Sequence, residues 1–308
     1  MRIAVTGRSG QVVSSLIERG ASAGHEIVPI GRPELDLADA DSVVRSLAAA
    51  HPDAVVSAAA YTAVDKAEGE PDLAHAINAG GAAAVARTAA DLNVPLIHLS
   101  TDYVFDGESD RPWTEADGTA PTGAYGRSKR AGEEAILAAY GGGSAILRTA
   151  WVYSPFGSNF VRTMLGLAAT RDEIAVVADQ IGNPTSAFDI ADGALKVADN
   201  LAADRDPALR GVFHMSGRGE ASWADFARAV FAASAARGGP SAEVKAIGTS
   251  DYPTPARRPA NSRLDCTKLA ETHGVVLPDW REALPPVVGR LLTDMGLSGP
   301  NRSGERPL

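Results

Sequence analysis

Thr101, Tyr125 and Lys129 are the side chains whose types and spacing could move a proton. Thr101 follows an apolar run, residues 94–99, that is typical of a buried strand. Tyr125 and Lys129 are four residues apart, so a helix that begins near Tyr125 would present both on one face. A neighbouring ammonium lowers the pKa of a tyrosine from its ordinary value of about 10. Tyr125 could then protonate a carbonyl oxygen to which Thr101 donates a hydrogen bond.

A glycine turn near the amino terminus predicts a phosphate-binding site. Residues 3–6 form a short β-rich run, Gly7 and Gly10 follow it, and residues 14–19 indicate a helix. Glycines at a strand-to-helix turn let a phosphate approach the backbone, and the amino end of the helix favours its charge. The spacing is G-x-x-G-x-x-V, so Val13 stands where the standard dinucleotide fingerprint has a third glycine.

The ends of the next predicted strands would bind the remainder of a dinucleotide. Arg32 follows the strand at 25–30, where a carboxylate would bind an adenosine ribose, and an arginine suits a 2′-phosphate instead. The alternative interpretation is an exposed loop arginine. Asp36 and Leu37 could contact the adenine. Small residues at 58–60, after the third predicted strand, would let ribose and phosphates lie against the backbone.

Strands and helices alternate along the first half of the chain, with further helices predicted at 42–50 and 72–92. This alternation predicts an α/β fold, a Rossmann-type doubly wound parallel sheet with helices on both faces. A nicotinamide dinucleotide at its carboxyl edge would give hydride to a carbonyl carbon. Tyr125 would protonate the oxygen, and Lys129 would also hold the cofactor ribose.

Composition excludes several classes of partner. The 308 residues are 45% hydrophobic, with a net charge of −9 and a single cysteine, Cys266. A negative chain is a poor match for nucleic acid or an anionic membrane surface, since both favour basic patches. One cysteine allows no disulfide within the chain, which fits a reducing compartment. No secretory leader or long apolar span is evident, so a cytoplasmic location is expected.

Motifs spread over roughly residues 1–290 carry a resemblance to a known enzyme family. They are T-G-x-x-G-Q at 6–11, A-V-D-K-A-E at 63–68, S-T-D-Y-V-F at 100–105, R-T-x-W-V-Y at 148–153, D-Q-x-G-x-P-T at 179–185 and Y-P-T-P-A-R-R-P-x-N-S at 252–262. Together they resemble the extended short-chain dehydrogenases/reductases. They are most similar to the members that reduce the 4-keto group of dTDP-4-dehydro-L-rhamnose with NADPH or NADH.

The resemblance implies Thr101, Tyr125 and Lys129 as the catalytic set. It also implies contacts with the cofactor from Gly10, Gln11, Val12, Asp36, Leu37, Ala60, Tyr61, Thr62, Tyr125 and Lys129. To these the glycine turn adds Gly7, and the end of the second predicted strand adds Arg32. Sugar-nucleotide contacts are implied from Val64, Thr101, Asp102, Tyr103 and Trp151, to which we add Asn159, Arg257 and Arg258.

The second half of the chain predicts a smaller α/β lobe that binds the nucleotide sugar. We expect a cofactor domain at 1–150 with a chain return at about 187–215, the lobe at 151–186 and 216–290, and a flexible tail at 291–308. Trp151 would pack on a deoxysugar or serve as a core tryptophan. Arg257 and Arg258, between prolines, would bind a diphosphate or remain a solvated pair.

No metal site is predicted. His98 is expected inside its strand, and no His/Cys/Glu spacing indicates zinc. Some members of the family are Mg²⁺-linked dimers with glutamate ligands. Ser15 and Phe188 occupy two of the corresponding places here, so neither the metal nor that dimer carries over. A monomer or weak homodimer is expected.

Three rival functions remain open. The same reduction could act on another nucleotide-linked deoxysugar. An epimerase or dehydratase of the same superfamily would recycle bound NAD rather than consume NADPH. A non-catalytic nucleotide-binding or regulatory relative is the rival of a different class, and the intact Tyr125 and Lys129 count against it.

Overall fold

The computed structural model describes residues 1–297, and parallel strands form its centre. In chain order the strands are β1 (Arg2–Thr6), β2 (Glu26–Ile30), β3 (Ala54–Ser57), β4 (Leu96–Thr101), β5 (Ser144–Thr149), β6 (Val152–Tyr153), β7 (Glu173–Val177), β8 (Ile181–Gly182), β9 (Thr185–Ser186), β10 (Gly211–His214), β11 (Ala221–Ser222), β12 (Glu243–Ile247) and β13 (Asn261–Ser262). The main sheet has six parallel strands in the order β2-β1-β3-β4-β5-β10.

The helices connect these strands and cover both faces of the sheet. They are α1 (Gln11–Ser22), α2 (Ala40–Ala49), α3 (Val64–Ala67), α4 (Pro71–His75), α5 (Ala82–Leu92), α6 (Ala124–Tyr140), α7 (Phe160–Ala168), α8 (Ala187–Ala203), α9 (Trp223–Ala235), α10 (Thr267–His273) and α11 (Trp280–Asp294). A π-helical segment, Ala76–Gly81, joins α4 to α5. The single helix predicted at 72–92 therefore contains a π turn, a distortion that often marks functional sites.

Two hydrophobic cores sandwich the main sheet, because successive residues of a strand face opposite sides. In β1, Ile3 and Val5 belong to the core on the side of α1 and α8. Ala4 belongs to the other core, on the side of α2, α5 and α6. Every residue of β3, β4 and β5 is buried. The predicted doubly wound parallel sheet is confirmed.

The sheet is completed from the second half of the chain. Helix α8 packs on α1, and β10 pairs in parallel with β5, with Val212 opposite Ile146. The remaining strands form small sheets: β12 with β7, β8 between β11 and β13, and β6 with β9. A separate core joins α7, α9 and α11, with Tyr153, Phe226 and Trp280 at its centre. These separate cores support the two-lobe division, which we retain as a proposal.

The flexible tail expected from residue 291 is corrected for residues 291–294. Helix α11 runs to Asp294, and Leu291 and Leu292 are buried in the core that joins α7, α9 and α11. Those two leucines continue the apolar face of α11, which explains the later end of the packed chain. The rest of that prediction, from residue 298, lies outside the described residues. Among residues 1–297, no helix combines the length and apolar character needed to cross a membrane.

Candidate active site

The carboxyl end of β4 carries the first group of predicted site residues. The Thr101 hydroxyl accepts a hydrogen bond from the Tyr103 backbone N–H at 3.2 Å and donates one to Asp102 Oδ1 at 3.0 Å. These bonds cap a short 3₁₀ turn at Asp102–Val104. Asp102 is 3% exposed, and burial raises the pKa of its carboxyl to about 6.

Helix α6 brings Tyr125 against this turn. Its first residue, Ala124, donates its backbone N–H to Glu68 Oε1 at 2.7 Å, so a carboxylate from beyond α3 caps the helix. Gly126 lies so close to Tyr103 that a Cβ at this position would overlap the Tyr103 carbonyl oxygen. The Tyr125 ring stands edge-on to the Tyr103 ring, with centroids 5.6 Å apart.

One helical turn later, Lys129 reaches back into the sheet. It is 2% exposed, and its Nζ donates to the Leu99 carbonyl oxygen at 2.7 Å and contacts His98 Nε2 at 3.1 Å. Burial lowers the pKa of Lys129 to about 8, and the nearby Glu133 carboxylate opposes this. Thr101, Tyr125 and Lys129 thus converge on the carboxyl end of β4.

The structure reverses one expectation about Tyr125. Burial raises the pKa of its phenol to about 12, and the neighbouring Thr101 hydroxyl opposes the rise. The expected lowering is wrong for the protein by itself, because burial disfavours a phenolate and two of the three N–H groups of Lys129 are taken by Leu99 and His98. Tyr125 is therefore protonated at neutral pH.

A cavity of about 370 Å³ lies between the ends of β1, β2 and β3. The predicted cofactor residues that line it share the backbone turns after these strands: Gly7, Arg32, Asp36, Leu37 and Ala60. Arg8 and Ser9 also line it, and Arg8 forms an ion pair with Glu34. Sequence reasoning missed Arg8, although its place between the two glycines is a signal.

The glycine turn fits a dinucleotide phosphate. Gly7 has a φ of +106°, a value that favours glycine, and a Cβ there would lie 3.1 Å from Val13 Cγ2. Gly10 is the N-cap residue of α1 and makes no side-chain hydrogen bond to it. The cap therefore leaves the backbone N–H groups of the first helical turn available to a phosphate. Val13, in place of a third glycine, is buried and packs over Gly7.

The other predicted cofactor residues make protein contacts that fix the site. Gln11 Oε1 accepts a hydrogen bond from the Ser154 hydroxyl at 2.9 Å, which ties α1 to the residue after β6. Val12 is partly buried and packs against the sheet core. The Tyr61 backbone N–H donates to Asn78 Oδ1 at 2.8 Å, and Thr62 is exposed. Asn78, in the π turn, was not predicted from the sequence.

A second cleft, of about 710 Å³, holds the predicted arginine pair. Arg258 forms an ion pair with Asp65 at 2.9 Å, and Arg257 forms one with Glu108 at 2.8 Å. Asp65 is the second residue of α3, directly after the predicted contact Val64. Thr101, Tyr125 and Lys129 do not line this cleft.

Trp151 lies at the start of the second lobe in a left-handed backbone conformation, with φ +47°. Its indole stacks on Trp223, with centroids 3.6 Å apart and the rings 9° from parallel. Gly182 lies beneath the indole, where a Cβ would meet the ring. Trp223 was not predicted from the sequence as a site residue, because nothing local shows what its ring contacts.

Asn159 is occupied locally. Its Oδ1 accepts the Arg162 backbone N–H at 3.1 Å, which caps α7, and its Nδ2 donates to the Ser154 carbonyl oxygen at 2.8 Å. It lines neither cavity. Within residues 1–297, no group of three or more His, Cys, Asp or Glu side chains is arranged to hold a metal ion.

Known proteins share this arrangement over nearly the whole chain. The family model described as the RmlD substrate binding domain matches residues 1–293. A dTDP-4-dehydrorhamnose reductase of Sinorhizobium fredii (strain NBRC 101917 / NGR234) is 51% identical, over 96% of this chain and 99% of that protein.

Solved structures agree. The crystal structure of a dTDP-4-dehydrorhamnose reductase from Clostridium acetobutylicum is 37% identical, with a TM-score of 0.87 over 94% of this chain and 99% of that one. That of a Bacillus anthracis dTDP-4-dehydrorhamnose reductase in complex with NADP is 34% identical, with a TM-score of 0.86 over 93% and 98% of the two chains. The chain therefore belongs to the RmlD substrate binding domain family, the family of the dTDP-4-dehydrorhamnose reductases to which it is similar.

Proposed function

We propose that this protein reduces the 4-keto group of dTDP-4-dehydro-L-rhamnose to give dTDP-L-rhamnose, with NADPH as the cofactor and NADH as a possible substitute. The observation that carries the proposal is the convergence of Thr101, Tyr125 and Lys129 on the carboxyl end of β4, at the same edge of the parallel sheet as the glycine turn. The similarity to dTDP-4-dehydrorhamnose reductases, one of them solved in complex with NADP, supports the same reaction.

The residues around the 370 Å³ cavity would hold the cofactor. The backbone after Gly7 and Gly10 would bind its diphosphate at the amino end of α1. Arg32 and Arg8 place two guanidiniums at the adenosine end, which suits the 2′-phosphate of NADPH. When bound, the nicotinamide supplies hydride to the keto carbon. Ala60, Tyr61 and Thr62 would lie along the ribose side, as the family resemblance implies.

Proton delivery is assigned to this chain's own side chains. Tyr125, protonated at neutral pH, gives its phenolic proton to the keto oxygen, and Thr101 hydrogen-bonds the same oxygen. The phenolate that remains is costly in a buried site, and the one N–H of the Lys129 ammonium that Leu99 and His98 leave free would stabilise it. Lys129 would also donate to the cofactor ribose.

The sugar nucleotide is assigned to the space between the β4 turn and the 710 Å³ cleft. Val64, Asp102, Tyr103 and Trp151 would contact the sugar. The guanidiniums of Arg257 and Arg258 would bind the diphosphate with the N–H groups that their ion pairs with Glu108 and Asp65 leave free. Asn159 enters this assignment only as the cap of α7, since its amide is already bonded within its own loop.

Replacing Tyr125→Phe tests the proposal. We expect kcat for NADPH oxidation with dTDP-4-dehydro-L-rhamnose to fall about 10²–10⁴-fold, the usual contribution of a proton-transfer group. NADPH binding, followed by fluorescence, should remain close to that of the parent protein. A loss below tenfold removes Tyr125 from the role.

The rival functions are separated in the same assay. Faster turnover of another nucleotide-linked deoxysugar would reassign the substrate, and product stereochemistry read by NMR would identify it. Conversion without stoichiometric NADPH consumption would indicate an epimerase or dehydratase. Cofactor binding without any turnover would favour a regulatory relative.

We further propose that the protein works in the cytoplasm as a monomer or weak homodimer. The net charge of −9 and the single cysteine support the location, and Ser15 and Phe188 at the places of the metal ligands support the assembly. Sedimentation with and without Mg²⁺ tests the assembly, and a tight Mg²⁺-dependent dimer would refute it.

A further inference from the structure

We propose that His98 is a positioning residue for Lys129: from strand β4, its neutral imidazole accepts a hydrogen bond from the ammonium and directs that group at the active site. The inference deepens the proposed function and rests on it. The lone histidine of an apolar strand was expected to be structural, and its contact with Lys129 gives it a role.

Geometry carries the proposal. His98 and Lys129 are each 2% exposed, and 3.1 Å separates His98 Nε2 from Lys129 Nζ. The Leu99 carbonyl oxygen accepts from the same Nζ at 2.7 Å. An ammonium has three donors and no acceptor, so His98 Nε2 must be the acceptor. These two bonds leave one N–H of Lys129 to serve the cofactor ribose and Tyr125.

A second contact fixes the tautomer of His98. Because Nε2 accepts, the ring proton lies on Nδ1, which donates to the Ser57 hydroxyl oxygen at 3.0 Å. The parallel register of β3 and β4 places Ser57 directly opposite His98. Burial, and to a lesser degree the charge of Lys129, holds the pKa of His98 well below its ordinary value. The imidazole therefore stays neutral where a second cation would repel the ammonium.

Other titratable groups lie on the elements that pack around Lys129. Glu133 lies one turn further along α6 and is held by Arg148 of β5 at 2.7 Å. Asp102 follows β4, and Tyr125 precedes Lys129 on its own helix. Of these groups, His98 contacts the Nζ directly and remains uncharged at neutral pH. Removing it should destabilise the ammonium and lower the pKa of Lys129 further below its present value of about 8.

The test measures NADPH binding rather than turnover. Fluorescence titrations across neutral and alkaline pH give the pH at which affinity is lost as Lys129 deprotonates. We expect His98→Leu to move this midpoint down by about one pH unit or more, since burial without an acceptor disfavours the charge. His98→Gln can place an amide oxygen near the Nε2 position as an alternative acceptor. Its midpoint should therefore lie much closer to that of the parent protein than the midpoint of His98→Leu does. An unchanged midpoint in His98→Leu overturns the proposal.

His273 provides the matched control. It is 3% exposed on α10, and it contacts Asn200 and the Leu209 carbonyl oxygen instead of Lys129. His273→Leu should cost stability without moving the midpoint. Equal midpoint shifts in His98→Leu and His273→Leu would show a general structural effect and overturn the proposal.

Ser57→Ala covers the case in which His98→Leu does not fold. It removes the acceptor that selects the tautomer, so we expect a smaller downward shift in the same direction. If His98→Leu does not fold, an unchanged midpoint in Ser57→Ala overturns the proposal. Because the readout is NADPH binding, a protein that shows these shifts but does not reduce dTDP-4-dehydro-L-rhamnose would refute the proposed function alone.

Discussion

The carboxyl group of Asp102 is buried beside Thr101, and this burial determines the pH at which it becomes charged. Burial raises its pKa from 3.8 to about 6, although hydrogen bonds from Thr101 and Ser262 oppose the rise. The folded state therefore binds this proton more tightly than the unfolded state. The contribution of Asp102 to stability is greatest below its unfolded pKa and is lost as pH rises through about 6.

Asp102→Asn removes that pH dependence. A shift of about two pKa units corresponds to about 3 kcal/mol, so the variant should gain up to about 3 kcal/mol on the parent protein between about pH 4 and about pH 7. Urea unfolding of both proteins at several pH values measures the difference. A difference that stays constant with pH would contradict the buried-carboxylate explanation.

At the scale of elements, the contact between α6 and the π turn decides where the catalytic helix lies. Asn78, in that turn, donates to the Ser128 hydroxyl on α6 at 2.9 Å. Gly132, on the same helix, packs so closely that a Cβ would overlap the Asn78 carbonyl oxygen. The face of α6 that carries Tyr125 and Lys129 is thus held by close backbone approach as well as by apolar packing.

Gly132→Ala should force these two elements apart. We expect a loss of about 1–3 kcal/mol in the free energy of unfolding, the usual cost of overpacking, together with lower kcat because Lys129 moves. Gly118→Ala is the control, since a Cβ there meets no atom within 4 Å. Its cost should stay within about 0.5 kcal/mol. Equal losses in the two variants would show that the close approach is unimportant.

At the scale of the whole molecule, three buried histidines link stability to acid. Burial lowers the pKa values of His98, His214 and His273, that of His214 to about 3. As pH falls below about 6.5, the unfolded state binds protons that the folded state does not, so these groups destabilise the fold. The carboxyls of Asp102 and Asp189, with pKa values raised to about 6, act in the opposite direction.

His273→Gln should therefore weaken the loss of stability in acid. Each such histidine contributes a slope of up to about 1.4 kcal/mol per pH unit, and the variant lacks one of them. Urea unfolding between neutral and mildly acidic pH measures both slopes. Identical slopes in the variant and the parent protein would show that His273 is protonated in the folded state.

The sequence predicts the parts of this molecule that local patterns encode. Apolar runs and the glycine turn predict the first four strands, and the spacing of Tyr125 and Lys129 predicts their common face. Contacts between distant residues are not encoded locally. The His98–Lys129 bond depends on how α6 packs on β4. The Trp151–Trp223 stack depends on the position of α9. The raised pKa of Tyr125 depends on its burial in the folded protein.

The strand that completes the sheet has a consequence for dissecting the protein. Because β10 covers the outer edge of β5 and α8 covers α1, a fragment ending near residue 150 would present an unpaired strand edge and an uncovered apolar helix face. Such a fragment would assemble through that edge instead of remaining a cofactor-binding module. A cofactor-binding fragment must therefore retain residues 187–214, and during synthesis the outer edge of β5 stays unpaired until residues 211–214 have left the ribosome.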